Sequence, residues 1–309
     1  MTFLRAEALD LFHRSLSDDD RVLVTGAGGW FGSTLAAMLH DSGHPVMLVT
    51  QRPRTIEYGT GSHEAVAWDL DAADSFAPTV VFDCAFILRD YIGEMSPERY
   101  VYENTVLTGQ LLQLASLDSV GTVVSVSSGA AVHPVDATTT PVAANPYGYL
   151  KRQAELALLE RAGELGIKAI NARAFSLSGT LVSRPERYAL SNMILQARSG
   201  RIAIQSNRPI WRRYVGLDDF FALCLANAGE MPILDSGGEL LEFSELAARI
   251  LVELDLAASI DRPALDGDGQ DDYYSSDDLW QRSLLSPGFT PATLGEQIRQ
   301  LDSVLSTTR

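Results

Sequence analysis

Cysteine is almost missing from this chain. Cys84 and Cys224 are the only two in 309 residues, and their spacing fits neither a bridge nor a metal knot. They read as small buried apolar residues of a reduced compartment. Long hydrophobic runs are missing as well, since no stretch approaches the ~20 apolar residues that span a bilayer. Positive charge is in short supply: 24 Lys and Arg stand against 40 Asp and Glu, a formal net charge of −16. A nucleic-acid backbone is therefore a poor partner, and any anionic ligand needs a local cationic pocket. His13, His40, His44, His63 and His133 are scattered without ligand spacing, so no metal is expected. No internal repeat is visible. Residues 1–20 carry Arg5, Glu7, Asp10 and three consecutive aspartates, unlike a secretory signal. Phe3, Leu4, Leu9, Leu11, Phe12 and Leu16 in that stretch predict an amphipathic helix docked on the rest of the chain, and a cytoplasmic location. With 46% apolar and 21% charged residues, the protein has the composition of an ordinary globular one.

What is present is organised around residues 22–32, VLVTGAGGWFG. An apolar strand enters a turn built from Gly26, Gly28, Gly29 and Gly32, with Trp30 and Phe31 opening a helix. Bare backbone at a strand-to-helix turn lets a pyrophosphate approach, and the helix N-terminus adds free N–H groups and partial positive charge. A second strand over 45–50 completes a strand–helix–strand unit of about 30 residues, the start of a parallel doubly wound sheet. The residue ending that second strand faces the adenosine ribose, where an acid selects the unphosphorylated cofactor. Here it is Thr50, followed by Arg52 and Arg54, so two guanidinium groups lie within reach of a 2′-phosphate. NADP is favoured and NAD remains possible.

Residues 65–68 read as a third strand, with Asp69 and Leu70 at its end suited to contacting the adenine. A buried fourth strand over 78–86 ends in Cys84, Ala85 and Phe86, which should line the cofactor trough. A helix over 97–117 includes Asn104 and Thr108, and a fifth strand over 121–128 ends in Ser127 and Ser128. After a polar loop comes Tyr147-Gly148-Tyr149-Leu150-Lys151, opening a helix to about Leu165, then a sixth strand over 167–174. Beyond residue 175 the alternation loosens into a smaller lobe, interleaved with the last sheet elements. Its helices fall at 188–199, 218–228, 243–256 and 293–305. The acidic stretch 261–278 reads as a mobile or rim loop. The division is therefore a helical extension over 1–20, a dinucleotide domain over 21–174 and a substrate lobe over 175–309.

Tyr147 and Lys151 are four apart on one helix face. An ammonium near a phenol lowers the phenol's pKa, so that it can exchange a proton with a carbinol oxygen as hydride moves. Ser127 or Ser128 could hold the same oxygen, and Ser128 is favoured. Tyr149, only two residues before Lys151, packs or contacts substrate.

Together these motifs resemble the extended short-chain dehydrogenase/reductases of the NAD-dependent epimerase/dehydratase family, over nearly everything from Arg21 onward. The resemblance implies an α/β, Rossmann-type fold and a nucleotide-sugar substrate. It also implies that Asp69, Asn104 (with Thr108) and Arg173 (with Gly179) serve the cofactor side. Arg212 takes the position of an arginine that meets the diphosphate of the substrate, with Arg213 beside it in R-R-Y-V-G-L-D-D. Ser176 stands where relatives often place a substrate-contacting asparagine, and Gly288, Phe289, Pro291 and Leu294 meet a closing family pattern. Family 4,6-dehydratases carry an Asp-Glu pair where this chain has Gly129 and Ala130, which disfavours dehydration.

The expected function is reduction of a 4-keto-sugar nucleotide by NADPH, with Tyr147 as proton donor. The alternative is a nucleotide-sugar 4-epimerase with tightly held NAD, and a remote third reading is a non-catalytic dinucleotide sensor. A homodimer is expected. Leu156, Leu158 and Leu159 with Leu111, Leu112 and Leu114 serve either that interface or the core.

Overall fold

In the computed structural model, which describes residues 4–40, 42–59, 61–132, 145–266, 271–276 and 288–306, strands and helices alternate as the sequence predicts. Helix α1 (Ala6–Arg14) is followed by β1 (Val22–Thr25), α2 (Trp30–Leu39), β2 (Val46–Thr50), β3 (Arg54–Tyr58) and β4 (Gly61–Ala67). Then come α3 (Leu70–Phe76), β5 (Val80–Asp83), α4 (Pro97–Ala115), β6 (Thr122–Ser128), α5 (Pro146–Leu165) and β7 (Lys168–Ala174). His133 and the polar loop over 133–144 lie outside the described residues.

Eight strands form one sheet in the order β11-β7-β6-β5-β1-β2-β4-β3, where β11 is Ile233–Asp235. Every neighbouring pair is parallel except the β3–β4 hairpin. The order reverses between β1 and β5, and ligands of such sheets bind at that switch point, outside the carboxyl ends of the strands. The strands are apolar on both sides because both sides are covered. Val80 and Phe82 of β5 face a cluster with Phe12, Leu35 and Phe221, while Val81 between them faces Leu111, Leu114 and Leu158.

The second half of the chain adds β8 (Leu177–Ser178), α6 (Ala189–Arg198), β9 (Arg201–Ala203), β10 (Ile210–Gly216) and α7 (Leu217–Ala226). After β11 come β12 (Glu239–Glu242), α8 (Phe243–Leu254), β13 (Ser259–Asp261), β14 (Asp272–Tyr273) and a final helix, Leu294–Leu305. Strand β10 pairs antiparallel with β12 and parallel with β14 over a separate cluster that includes Leu190, Ile194, Leu246 and Ile298.

Helix α1 buries Ala8, Leu11 and Phe12, and Phe12 stacks on Phe82 with ring centroids 5.6 Å apart. Arg5 fixes its start, with its backbone N–H donating to Asp218 at 2.9 Å and its guanidinium to Asp219 at 2.8 Å.

Two expectations need correction. The strand read over 65–68 is not the third in the chain, because Arg54–Tyr58 forms β3, an antiparallel hairpin partner to β4. The acidic stretch is not only rim. Its described part supplies the last residue of β13 and the whole of β14, and its residues 267–270 and 277–278 lie outside the described residues.

Candidate active site

Strand β1 delivers the chain into Gly26 at φ +63°, where a Cβ would stand 2.6 Å from the Cys84 carbonyl. A Cβ on Gly32 would stand 2.5 Å from the Ala27 Cα. Only glycine permits both approaches. They draw β1, β5 and α2 together and set the N-terminus of α2 in the wall of a trough of about 750 Å³. Gly26, Gly28, Gly29, Trp30 and Phe31 line it, as do Thr50, Arg52 and Arg54 and the strand-end Cys84, Ala85 and Phe86. Gly32 packs beneath it. Among the described residues, Asp90 is the one carboxylate lining the trough. At the end of β2 the Thr50 hydroxyl donates to the Arg52 carbonyl at 2.6 Å. The Arg54 guanidinium lies over the glycine turn, 3.1 Å from where a Cβ on Gly28 would stand.

Besides Gly32, several residues expected on the cofactor side do not line the trough, and Lys151 lines the neighbouring cavity instead. Asp69 is the N-cap of α3 and accepts from the Ala72 amide at 3.0 Å, with Leu70 opening that helix. Asn104 is fully buried and holds the chain beyond β5, accepting from the Ile87 amide at 2.8 Å. Arg173 is drawn away by charge. Its guanidinium makes two bonds to Glu155 of α5, at 2.7 and 2.6 Å, because a buried carboxylate needs a cation.

A second cavity, of about 490 Å³, shares Trp30, Phe31, Cys84 and Phe86 with the trough. It brings together Ser127, Ser128, Tyr147, Lys151, Ser176 and Arg212. Asn145 caps α5, accepting from the Gly148 amide at 3.0 Å, with Pro146 at the first helical position. This anchors the first turn of α5 beside the end of β6. The two serines diverge: Ser127 donates to Glu155 at 2.6 Å, while Ser128 lies 3.3 Å from the Tyr274 hydroxyl. Tyr149 lines neither cavity. Arg213 is turned from the cleft and donates to the Gly238 carbonyl at 2.9 Å.

Lys151 is buried, donates to the Val126 carbonyl at 2.7 Å, and sits 3.7 Å over the Phe86 ring. Burial lowers its pKa to about 8, against the opposing pull of Asp83, Cys84 and Glu155. Tyr147 meets Phe86 edge-on at 5.6 Å. Burial raises its hydroxyl to about 12, and the Ser128 hydroxyl acts in the opposite direction. The phenol is thus held neutral, not shifted down toward neutrality as the Tyr147–Lys151 spacing alone predicts.

Several site residues escape a sequence reading. Tyr274, from the acidic stretch, packs on Phe175 with centroids 5.1 Å apart and reaches Ser128. Arg212 lies 5.5 Å over the Tyr274 ring and is ion-paired to Asp272 at 3.1 Å. Asp90 and Arg187 line both cavities and are ion-paired across the opening at 2.5 Å, with Arg184 nearby in the trough wall. Among the described residues, no group of three or more His, Cys, Asp or Glu gathers to hold a metal, and no helix is long and apolar enough to cross a membrane.

Residues 22–231 match the model of the NAD dependent epimerase/dehydratase family. A UDP-glucose 4-epimerase of Corynebacterium glutamicum is 28% identical over 203 residues, and that match spans 58% of this chain and 59% of the relative. Among solved structures, MoeE5 in complex with UDP-glucose and NAD superposes with a TM-score of 0.70 at 22% identity, covering 93% of this chain and 99% of that one. UDP-glucose 4-epimerase of Thermotoga maritima with UDP-glucose gives 0.69 at 19% identity, with 93% and 99% covered. At these identities the two structures speak for the fold: an α/β protein with a mostly parallel Rossmann-like sheet.

Proposed function

We propose, for a chain that belongs to the NAD dependent epimerase/dehydratase family, that it reduces a 4-keto-sugar nucleotide with hydride from NADPH. The observation that carries this reading is the end of β2. Thr50 leaves no carboxylate there, and β3 brings Arg54 back over the glycine turn beside Arg52. The trough otherwise fits a dinucleotide, with bare backbone at Gly26, a helix N-terminus at Gly29 and Trp30, and Cys84, Ala85 and Phe86 as its far wall. Such a cofactor supplies hydride when bound.

The chain's own residues supply the rest. Tyr147 delivers a proton to the carbonyl oxygen of the substrate, and a phenol held neutral suits that role. Ser128 holds the same oxygen by a hydrogen bond, and Lys151 stabilises the phenolate left behind. Ser176 contacts the sugar. Arg212 exchanges Asp272 for the diphosphate. Arg173 keeps the sheet end and α5 together from behind, and Ser127 belongs to that structural group.

A 4-epimerase with retained NAD is the second reading, favoured by the Corynebacterium relative and by the NAD bound to MoeE5. We further infer a homodimer through Tyr102, Val106 and Leu156, three of the exposed apolar residues of α4 and α5, since Leu111, Leu114 and Leu158 are already in the core. A cytoplasmic setting is inferred from two thiols, Cys84 and Cys224, that are both unbridged.

The test is turnover of a panel of 4-keto-sugar nucleotides with NADPH, by the wild type and by Tyr147→Phe. Reduction that drops about 10²-fold or more in the variant, with NADPH binding kept, supports the reading. Equal turnover by both proteins contradicts it.

A further inference from the structure

Behind Lys151 the sheet carries a row of polar side chains where its own strand pattern calls for apolar ones. Thr25, Asp83, Ser125 and Asn171 stand opposite one another on adjacent strands β1, β5, β6 and β7. Asp83 is buried, with 7% of its surface exposed. Thr25 donates to one carboxylate oxygen at 2.6 Å and Ser125 to the other at 3.4 Å. Among the described residues, no Lys, Arg or His side chain forms an ion pair with Asp83, the nearby arginines being paired to Glu155 instead. A buried carboxylate needs an opposing charge.

Asp83 and Lys151 face one small cavity of about 10 Å³, between the sheet and helices α4 and α5. That is room for about one water molecule. The other groups around it are accounted for. Glu155 of α5 is neutralised by Arg173 of β7 and by Arg152, which lies 2.9 Å from it. Cys84, just beyond β5, is held as a thiol by burial, and Tyr147 on α5 as a phenol. Helix α4 contributes Thr108 and Leu111, neither of which titrates. Asp83 is therefore the one acid facing this cavity whose charge no guanidinium answers.

We propose that Asp83 is a positioning residue, the counter-charge that acts across this cavity to keep Lys151 an ammonium ion at neutral pH. Burial works against both charges, lowering the pKa of the Lys151 ammonium and raising that of the Asp83 carboxyl. Asp83 is the first of the groups that work for the ammonium, and the Thr25 hydroxyl and Lys151 itself pull the carboxyl back down. Thr25, the last residue before the glycine turn, fixes Asp83 and also accepts from the Cys84 and Ala85 amides at 3.2 Å. The same side chain thus shapes the trough wall and holds the counter-ion of Lys151. Its consequence for turnover rests on the reading of Tyr147 and Lys151 given above, but the charge of Lys151 can be read without turnover.

Lys151 and Lys168 are the chain's two lysines. Protein labelled with ¹³C at lysine Cε gives two side-chain signals, and the exposed Lys168 serves as internal reference. The Lys151 signal is followed by NMR against pH in the wild type and in Asp83→Asn. The expected result is a Lys151 midpoint about one pH unit or more lower in the variant, with Lys168 unmoved. A Lys151 midpoint that stays at the wild-type value or rises in the folded variant overturns the proposal. Should Asp83→Asn not fold, Thr25→Val decides: loss of its hydrogen bond to the carboxylate should lower the Lys151 midpoint, and an unchanged midpoint overturns the proposal. A wild type that turns over no sugar nucleotide yet shows this shift refutes the function and leaves the role of Asp83 intact.

Discussion

Arg173 and Glu155 grip each other behind the sheet by two parallel bonds, of 2.7 and 2.6 Å, and Ser127 donates to the same carboxylate at 2.6 Å. The group ties β6, β7 and α5 into one unit under the cleft. Arg173→Met leaves Glu155 with only the partly buried Arg152, and is expected to lower unfolding free energy by about 3 kcal/mol or more. Denaturant titration measures this. The dissociation constant for the dinucleotide in the folded fraction is expected to stay within about threefold, since Arg173 lines neither cavity.

How much of this is legible in the sequence differs from one residue to the next. The strand–glycine–helix unit and the Tyr147/Lys151 pair are readable because each depends on local spacing. Arg173 is not, because its partner lies 18 residues earlier on a helix, a pairing that no local pattern encodes. Strand β3 escapes detection although Arg54–Tyr58 alternates, with Ile56 and Tyr58 buried and the residues between exposed, because it is short and comes just after Arg-Pro. Tyr274 sits in an acidic run, and only the pairing of β14 with β10 turns it inward. Asp83 reads as the polar end of an apolar strand, and its row of partners exists only once four strands are in register.

Asp218 and Asp219 meet Arg5 at the start of α7, and Asp219 also accepts from the Ala292 amide at 2.7 Å. Burial, with Asp218 beside it, raises the Asp219 carboxyl to about 7. The folded protein therefore holds a proton there that the unfolded chain has released above about pH 4. The stability Asp219 contributes is greatest at low pH and declines as pH rises toward 7. Relative to Asp219→Asn, the wild type should lose stability between about pH 4 and pH 7 in thermal melts at matched ionic strength. A difference that stays flat or moves the other way contradicts this assignment.

Tyr274 and Ser128 lie 3.3 Å apart at the mouth of the cleft. Tyr274→Phe removes the hydroxyl, which meets both Ser128 and the Ala130 backbone, and keeps the ring against Phe175. The expected loss in kcat/KM is about threefold to 30-fold, the worth of one or two neutral hydrogen bonds, with dinucleotide affinity unchanged. Steady-state kinetics and a separate cofactor titration check both halves.

Arg52 and Arg54 are exposed guanidinium groups with no carboxylate between them and the end of β2. The double substitution Arg52→Ala, Arg54→Ala should weaken NADPH binding about 10- to 100-fold, the worth of one or two charge-assisted bonds. NADH binding should change little. Fluorescence titration with each dinucleotide compares them directly.

The most direct test of the proposed reduction is the identity of the dinucleotide the protein keeps. The purified protein is denatured, any released dinucleotide is identified by chromatography, and the empty protein is titrated with NADPH and NADH. An NADPH-dependent reductase should retain little cofactor and bind NADPH at least about tenfold tighter than NADH. Stoichiometric retained NAD would contradict that reading and make epimerisation the function to pursue.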